Sequence, residues 1–176
     1  MFDISTLIVR PATMSDAKAI AHIQISASQA AFKAQFPGEV MPVLDALPQR
    51  QAHWREAIEY SEPQIQVAVD GKTVVGFVGY DRSRDPQTPP TMGEIWALYV
   101  TTDYWGQGVG LALWDAAREG LLEEGCTKVS AWVPLCYERA LRFHDMAGFK
   151  RELSSLKTVT WGTVKIEEIR CQRSLH

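Results

Sequence analysis

Apolar and polar positions along the chain switch between two periods, and the switches mark out its elements. Thr6 to Arg10 alternates and is rich in β-branched residues, and Pro11 stops it, which predicts a short first strand. Thr13-Met14-Ser15-Asp16 has capping-box spacing, and Ala17, Ile20, Ile23 and Ala27 then recur at helical intervals. A helix from about Ser15 to Ala30 follows. Pro37-Gly38 and Pro42 interrupt the pattern before a second helix over Leu47 to Tyr60. After Pro63 the period becomes two. Ile65 to Val69 is a strand, Asp70-Gly71 a hairpin turn, and Thr73 to Asp81 the return strand. A stiff loop, Arg82 to Met92, carries Pro86, Pro89 and Pro90 and leads to a strand over Gly93 to Val100. Its mixed pattern is that of a central position. Gly108 to Glu124 reads as a helix with Leu113, Trp114, Ala117 and Leu121 on one face and Gly125 as its stop. Lys128 to Val133 is a strand ended by Pro134, and Tyr137 to Ala147 a helix stopped by Gly148. Two closing strands are predicted at Phe149 to Leu156 and Thr158 to Arg173.

The order βααβββαβαββ predicts a single α+β or mixed α/β domain over residues 1–176, with no internal repeat or interdomain linker. Six Trp, six Phe and five Tyr within a 46% apolar chain suffice for a sizeable core and exclude a disordered one. Eighteen Lys plus Arg oppose twenty-one Asp plus Glu, a net charge of −3, with no run of either sign. No nucleic-acid partner is therefore expected. Met1-Phe2-Asp3-Ile4 does not open a basic-then-apolar leader, and no apolar run approaches the ~20 residues that span a bilayer. A soluble, cytoplasmic protein without a membrane partner is the expectation. Cys126, Cys136 and Cys171 are odd in number and widely spaced, and neither C-x-x-C nor H-E-x-x-H occurs. Neither a disulfide frame nor a metal is expected.

Chemistry concentrates in Glu94-Ile95-Trp96-Ala97-Leu98-Tyr99-Val100, the turn Thr101 to Tyr104, and Trp105-Gly106-Gln107-Gly108-Val109-Gly110-Leu111. This is a strand, a turn and a glycine-rich helix entry. Three glycines at alternate positions let backbone N–H groups converge on an anion, and the helix behind them adds about half a positive charge. Phosphate or pyrophosphate is the natural occupant. The same glycines equally suit a turn that only permits close strand–helix packing, and residue type alone leaves both readings standing. No Lys-Ser or Lys-Thr follows Gly110, so this is not a P-loop. Leu113 stands where G-x-G-x-x-G needs its last glycine, and the hairpin over Ile65 to Asp81 breaks a βαβ repeat, so dinucleotide chemistry recedes.

These residues resemble the acetyl-CoA-binding motif R/Q-x-x-G-x-G/A of the GCN5-related N-acetyltransferases (GNAT), which follows a strand ending L-Y-V. Arg10-Pro11-Ala12 with Asp16-Ala17 resembles the family's opening strand and helix, and Val75-Gly76-Phe77 its third strand. Ala140, Phe143, Gly148 and Phe149 match the later N-x-x-A-x-x-F-Y-x-x-x-G-F block. The resemblance implies a mostly antiparallel central sheet flanked by helices, acetyl-CoA as co-substrate, and N-acetylation of an amine-bearing small molecule or peptide. It also implies that backbone groups of Leu98, Tyr99 and Val100 pair with the pantetheine arm, and that N–H groups of Trp105, Gly106, Gln107, Gly108, Val109 and Gly110 hold the pyrophosphate. The strand carrying Glu94 and the strand Lys128 to Val133 are expected to splay apart around the thioester. An N–H near Leu98 then polarises its carbonyl. Three positions depart from the pattern. Trp105 replaces Arg/Gln, Tyr137 replaces the Asn that contacts pantetheine, and His144 replaces the Tyr that often acts as general acid.

Direct acetyl transfer needs a proton taken from the ammonium and benefits from one given to the thiolate. Glu94 occupies the strand where the family often carries a catalytic carboxylate. In an unbulged strand, alternation sets Glu94, Trp96 and Leu98 on one face. A carboxylate beside a Trp is partly desolvated, which suits base work, and attraction of a cationic acceptor is the competing role. His144, one turn after Ala140, offers a ring N–H to the thiolate, or packs half-buried against the sheet. The acceptor pocket is expected between the first two helices, the loop Lys33 to Val40 and the loop Arg82 to Met92. Phe32, Phe36 and Trp96 are candidates for its aromatic wall or for ordinary core. Cys126 and Cys136 lack the partners of a covalent mechanism. A CoA-binding sensing or assembly module without catalysis is the alternative from another class, and a protein- or peptide-specific acetyltransferase is a third reading. The sequence leaves oligomeric state open, a homodimer being one option.

Overall fold

A computed structural model describes residues 1–39 and 46–176, so Val40 and Pro42 of the reading above lie outside the described residues. Strand β1 (Ile8–Pro11) starts later than the alternation suggested, because Ile4–Thr6 forms a 3-10 turn in which Asp3 accepts from the Ser5 N–H. The capping box forms. Thr13 N–H donates to Asp16 at 2.7 Å, ahead of α1 (Ala17–Gln35), which runs on past Ala30. Arg10 grips the same carboxylate with both guanidinium nitrogens, at 2.8 and 3.1 Å, so the Arg10-Pro11-Ala12…Asp16 pattern ties β1 to the start of α1. Helix α2 (Leu47–Tyr60) has its predicted bounds.

β2 (Gln64–Asp70), β3 (Thr73–Arg82) and β4 (Met92–Val100) follow, then α3 (Val109–Glu123), β5 (Lys128–Pro134) and α4 (Glu138–Met146). The closing strands need correction. β6 (Lys150–Trp161) and β7 (Val164–Ser174) turn at Gly162-Thr163, not near Lys157, and Gly162 supplies the positive φ (+61°) of that turn. The apparent break before Lys157 is a register shift between Glu152 and Lys157, where Ser155 Oγ donates to the Glu152 carbonyl and accepts from Arg170 N–H.

The strands form one seven-stranded sheet in the order β1-β2-β3-β4-β5-β7-β6, antiparallel except for β4 and β5. Hydrophobic residues of β2 and β3 are buried on both faces, as a central strand requires. Val67 and Phe77 face α1 and α2 with Ile20 and Trp54, while Ala68 and Val78 face α3 with Leu113 and Leu121. Each face thus carries its own core. No described helix is long and apolar enough to cross a membrane.

Two irregularities position the site. The β4–β5 ladder pairs only Met92–Lys128, Gly93–Val129 and Glu94–Ser130, after which the strands part. A bulge in β4 pairs Gly79 with Ala97 and Tyr80 with Ile95, leaving Trp96 as the extra residue. Parity therefore changes. Ile95, Leu98 and Val100 face the α3 core, and Ala97 and Tyr99 face the α1/α2 core, and alternation from Ile95 sets Glu94 and Trp96 on the side away from α3. Leu98 does not share a face with Glu94, as simple alternation had it.

Candidate active site

The glycine-rich entry to α3 is built from backbone. Gly106 and Gly108 have φ of +72° and +90°, a region L side chains rarely adopt, and nothing lies within 4 Å of where a Gly106 Cβ would be. Gly108 is the N-cap of α3 and has no side chain to cap it, so the first-turn N–H groups point outward unclaimed by a cap. Gly110 meets a different need, since a Cβ there would sit 3.1 Å from the Phe143 ring of α4. Gly106 and Gly108 give the helix entry its positive-φ course, and Gly110 permits packing.

Trp105 needs correction as a phosphate donor. Its N–H donates to the Thr102 carbonyl at 3.1 Å, so the available amides run from Gly106. Its indole Nε1 donates to the Val100 carbonyl at 2.7 Å, and the Arg139 guanidinium of α4 lies 4.6 Å from the ring centre. A cation therefore stands beside the glycine-rich helix entry even though the Arg/Gln position is Trp. Tyr104 Oη, donating to Asp70 at 2.7 Å, braces the turn against the β2–β3 hairpin.

Along β4, Thr101 N–H donates to the Val75 carbonyl. Antiparallel alternation then turns the Tyr99 backbone into the ladder with Phe77 and the Leu98 and Val100 backbones toward the gap. Tyr99 is thus not an edge donor. Its ring stacks on Phe77 at 5.7 Å. Leu98 offers both groups to the gap, and Val100 only its N–H.

At the apex of the gap Glu94 is 2% exposed. Oε1 accepts from the Arg84 N–H at 2.9 Å and Oε2 from its guanidinium at 2.5 Å. That guanidinium also lies 4.2 Å from the centre of Trp96, whose Nε1 donates to the Arg82 carbonyl. Arg84 thus couples Glu94 to Trp96. The next residue, Asp85, accepts from Trp132 Nε1 at 3.0 Å and from Arg170 at 3.2 Å, pinning the β3–β4 loop across the open gap to β5 and β7. Arg170 also holds Glu152, and Lys157 Nζ lies 3.9 Å from the Trp132 ring centre. Arg84, Asp85, Trp132, Lys157 and Arg170 were not found by sequence reasoning. They come from four separate segments, and only the loop's position next to Glu94 pointed their way.

On α4, His144 is 8% exposed, its ring edge-on to Phe143 and Phe149. Nδ1 lies 2.7 Å from the Ala140 carbonyl, an acceptor, so Nδ1 carries the proton and neutral Nε2 a lone pair. Burial pushes the imidazole below its ordinary value, against the opposing pull of the Ala140 bond and the Asp145 charge. Tyr137, at the N-cap of α4, is pushed far above the ordinary phenol by burial and by Cys136 and Tyr99, and packs edge-on to Trp161. Its hydroxyl stays protonated and available to donate. Phe32 is 1% exposed and packs on Phe36 at 4.9 Å, so it lends its bulk to the core and only Phe36 and Trp96 keep exposed ring surface. Among the described residues no group of three or more His, Cys, Asp or Glu is placed to hold a metal.

The family model of the acetyltransferase (GNAT) family matches residues 28–149. A mycothiol acetyltransferase of Propionibacterium freudenreichii subsp. shermanii is 33% identical over 110 residues, covering 61% of this chain and 35% of that protein. The chain therefore spans little more than a third of that relative's length. An N-acetyltransferase of Staphylococcus aureus Mu50 shares the fold with a TM-score of 0.75 at 16% identity, over 97% of this chain and 99% of that one. So does yncA of Salmonella typhimurium, solved with acetyl-CoA, with a TM-score of 0.73 at 17% identity, over 97% and 94%. With the family model covering most of the sheet, its gap and its glycine-rich helix entry, this chain belongs to the acetyltransferase (GNAT) family of acyltransferases.

Proposed function

We propose that residues 1–176 form a single domain that transfers the acetyl group of acetyl-CoA directly to a primary amine of a small molecule or peptide. One observation carries this reading. The β4–β5 ladder ends at Glu94–Ser130, so one strand has a buried carboxylate at the apex of a gap and, beyond its far end, a glycine-built helix N-terminus.

In this reading the N–H groups of Gly106 to Gly110 and the α3 dipole hold the pyrophosphate. The outward edge of Leu98 and Val100 aligns the pantetheine arm as an added strand. Acetyl-CoA supplies the activated acetyl group. The Leu98 N–H donates to the thioester oxygen as charge develops there, a contact a side-chain substitution leaves in place. Glu94 accepts the ammonium proton. The protonated Tyr137 hydroxyl donates along the pantetheine path in place of the family's Asn amide. His144 donates to the leaving thiolate only as imidazolium, because its neutral form spends the Nδ1 proton on Ala140. Burial opposes that form, so His144 chiefly orients α4, and the proton comes from water or from the ammonium itself. We place the reaction in the cytoplasm, a reducing setting that suits three unpaired thiols.

The engagement of both Glu94 oxygens by Arg84 favours a second reading, a CoA-binding module without catalysis. A broad amine panel with acetyl-CoA, read by thiol release, separates the two. Amine-dependent release above the uncatalysed rate is expected. Tight acetyl-CoA binding with no release from any amine would establish the module.

A further inference from the structure

Glu94 and Arg84 make an unequal pair. The carboxylate is 2% exposed, whereas the arginine side chain is 54% exposed. One half-solvated cation therefore covers two surfaces at the apex of the gap, the Glu94 Oε2 atom and the face of Trp96. The two bonds to Glu94 also differ in permanence. The Arg84 N–H on Oε1 belongs to a loop pinned on both sides, by Ser83 N–H to the Met92 carbonyl at 2.8 Å and by Asp85 to Trp132 and Arg170. The guanidinium on Oε2 hangs from a flexible stem. A carboxylate so deeply buried is costly to leave without a cation, so the guanidinium departs only in exchange for another one.

We propose that Arg84 is an internal stand-in for the acceptor: a cationic primary amine displaces its guanidinium from Glu94 Oε2 and Trp96, and Arg84 thereby sets the threshold that selects acceptors with a cationic head group able to lie on an indole face. This rests on the reading of Glu94 as the acceptor-side carboxylate. Once seated, the ammonium nitrogen lies against Oε2. The N–H bond breaks, its proton passes to that oxygen, and the nitrogen lone pair is released for attack. The Arg84 N–H stays on Oε1 throughout and keeps the carboxylate oriented. Neutral or anionic molecules do not compensate Glu94 and leave Arg84 in place. The exchange also resolves the conflict between a catalytic carboxylate and its engagement with arginine.

The test reads the Trp96 indole N–H resonance, assigned through Trp96→Phe, while methylammonium or guanidinium chloride is titrated at millimolar concentration without acetyl-CoA. In Arg84→Ala both cations are expected to shift the resonance saturably, at least about tenfold more tightly than in wild type. Arg84→Met, which keeps the stem over Trp96, is expected to behave alike. The gain disappears in Arg84→Ala/Glu94→Gln. Binding no tighter than wild type, a gain that survives removal of the Glu94 charge, or unfolding of both Arg84 variants overturns the proposal. With acetyl-CoA and a reactive amine, Arg84→Ala lowers the amine KM, and millimolar guanidinium raises it again by competition. A higher KM makes Arg84 an anchor for the acceptor rather than its stand-in. The titration requires no turnover, so failure of acetyl transfer registers separately in the thiol-release assay.

Discussion

The two ends of β4 solve their problems with different materials. Beyond Val100, the proposed anion cradle consists of main-chain N–H groups, two glycines at positive φ and a helix end. At Glu94, the proposed acceptor side consists of side chains from the β3–β4 loop, β5, β6 and β7, held by charge and indole contacts. A backbone site restricts which residues can form it and is indifferent to most other side chains. A side-chain site is free to vary. In the proposed function the common part of the substrate pair is met by the constrained end, and the variable part by the adaptable one.

Breaking the acceptor end should produce the largest effect. Glu94→Gln keeps the shape and removes the proton acceptor, so kcat at saturating acetyl-CoA falls by about 10²–10⁴-fold. The deficit should shrink as pH rises toward the amine's own pKa, where deprotonation no longer needs help. A full kcat with only a raised amine KM reassigns Glu94 to binding.

Breaking the cradle comes next. Gly108→Asp forces a β-carbon into φ +90° and sets a carboxylate against the phosphate, so acetyl-CoA affinity by calorimetry weakens by about 100-fold or more. Gly108→Ala, which brings the strain without the charge, should lose less. Equal losses in the two variants make the conformation the whole effect.

The same contrast decides what was legible in the sequence. Gly106 and Gly108 were readable because positive φ narrows the choice to few residue types. Splaying of β4 from β5 was anticipated through the family resemblance and is present. The bulge at Trp96 was not readable, since an extra residue in Glu94-Ile95-Trp96-Ala97-Leu98 leaves no mark on composition or spacing. The Asp85–Trp132 and Asp85–Arg170 contacts span 47 and 85 residues, and no local pattern announces them. His144 was placed on its helix correctly, but its proton is decided by a carbonyl one turn back, a tertiary geometry no spacing encodes. By contrast, the Gly162-Thr163 turn between two β-rich runs carries a local signal, a glycine at positive φ.

His144 sharpens the comparison through stability. The folded state holds its imidazole below the ordinary 6.5, and burial is the leading cause. As pH falls through that value the unfolded chain takes up a proton that the folded chain refuses. This contribution to stability is therefore full above 6.5 and lost toward the folded pKa. Asp16 acts lower. Burial pushes its carboxyl up, but Arg10 and Thr13 hold it down on balance, so its contribution is lost only as pH falls through the carboxylate range. His144→Phe should flatten the fall of Tm with pH just below 6.5 and leave the more acidic limb alone. An unchanged profile shows that the ring is not held neutral by burial. The kcat of His144→Phe should also keep the wild-type pH profile, within about threefold. A missing limb restores the acid role.

The smallest expected effect lies where a side chain supports the backbone end. Arg139→Ala removes the guanidinium over Trp105 and weakens acetyl-CoA binding by about two- to fivefold, less at high salt. A loss as large as that of Gly108→Asp makes the cradle a side-chain site after all.

The division of labour is tested most directly by titrating acetyl-CoA into Glu94→Gln by calorimetry. The account predicts a Kd within about twofold of wild type, because the removed charge lies at the acceptor end and the fold around it is held by backbone and by Asp85. A Kd weakened as severely as in Gly108→Asp contradicts it, since both ends of β4 then serve acetyl-CoA and the carboxylate is not reserved for the amine.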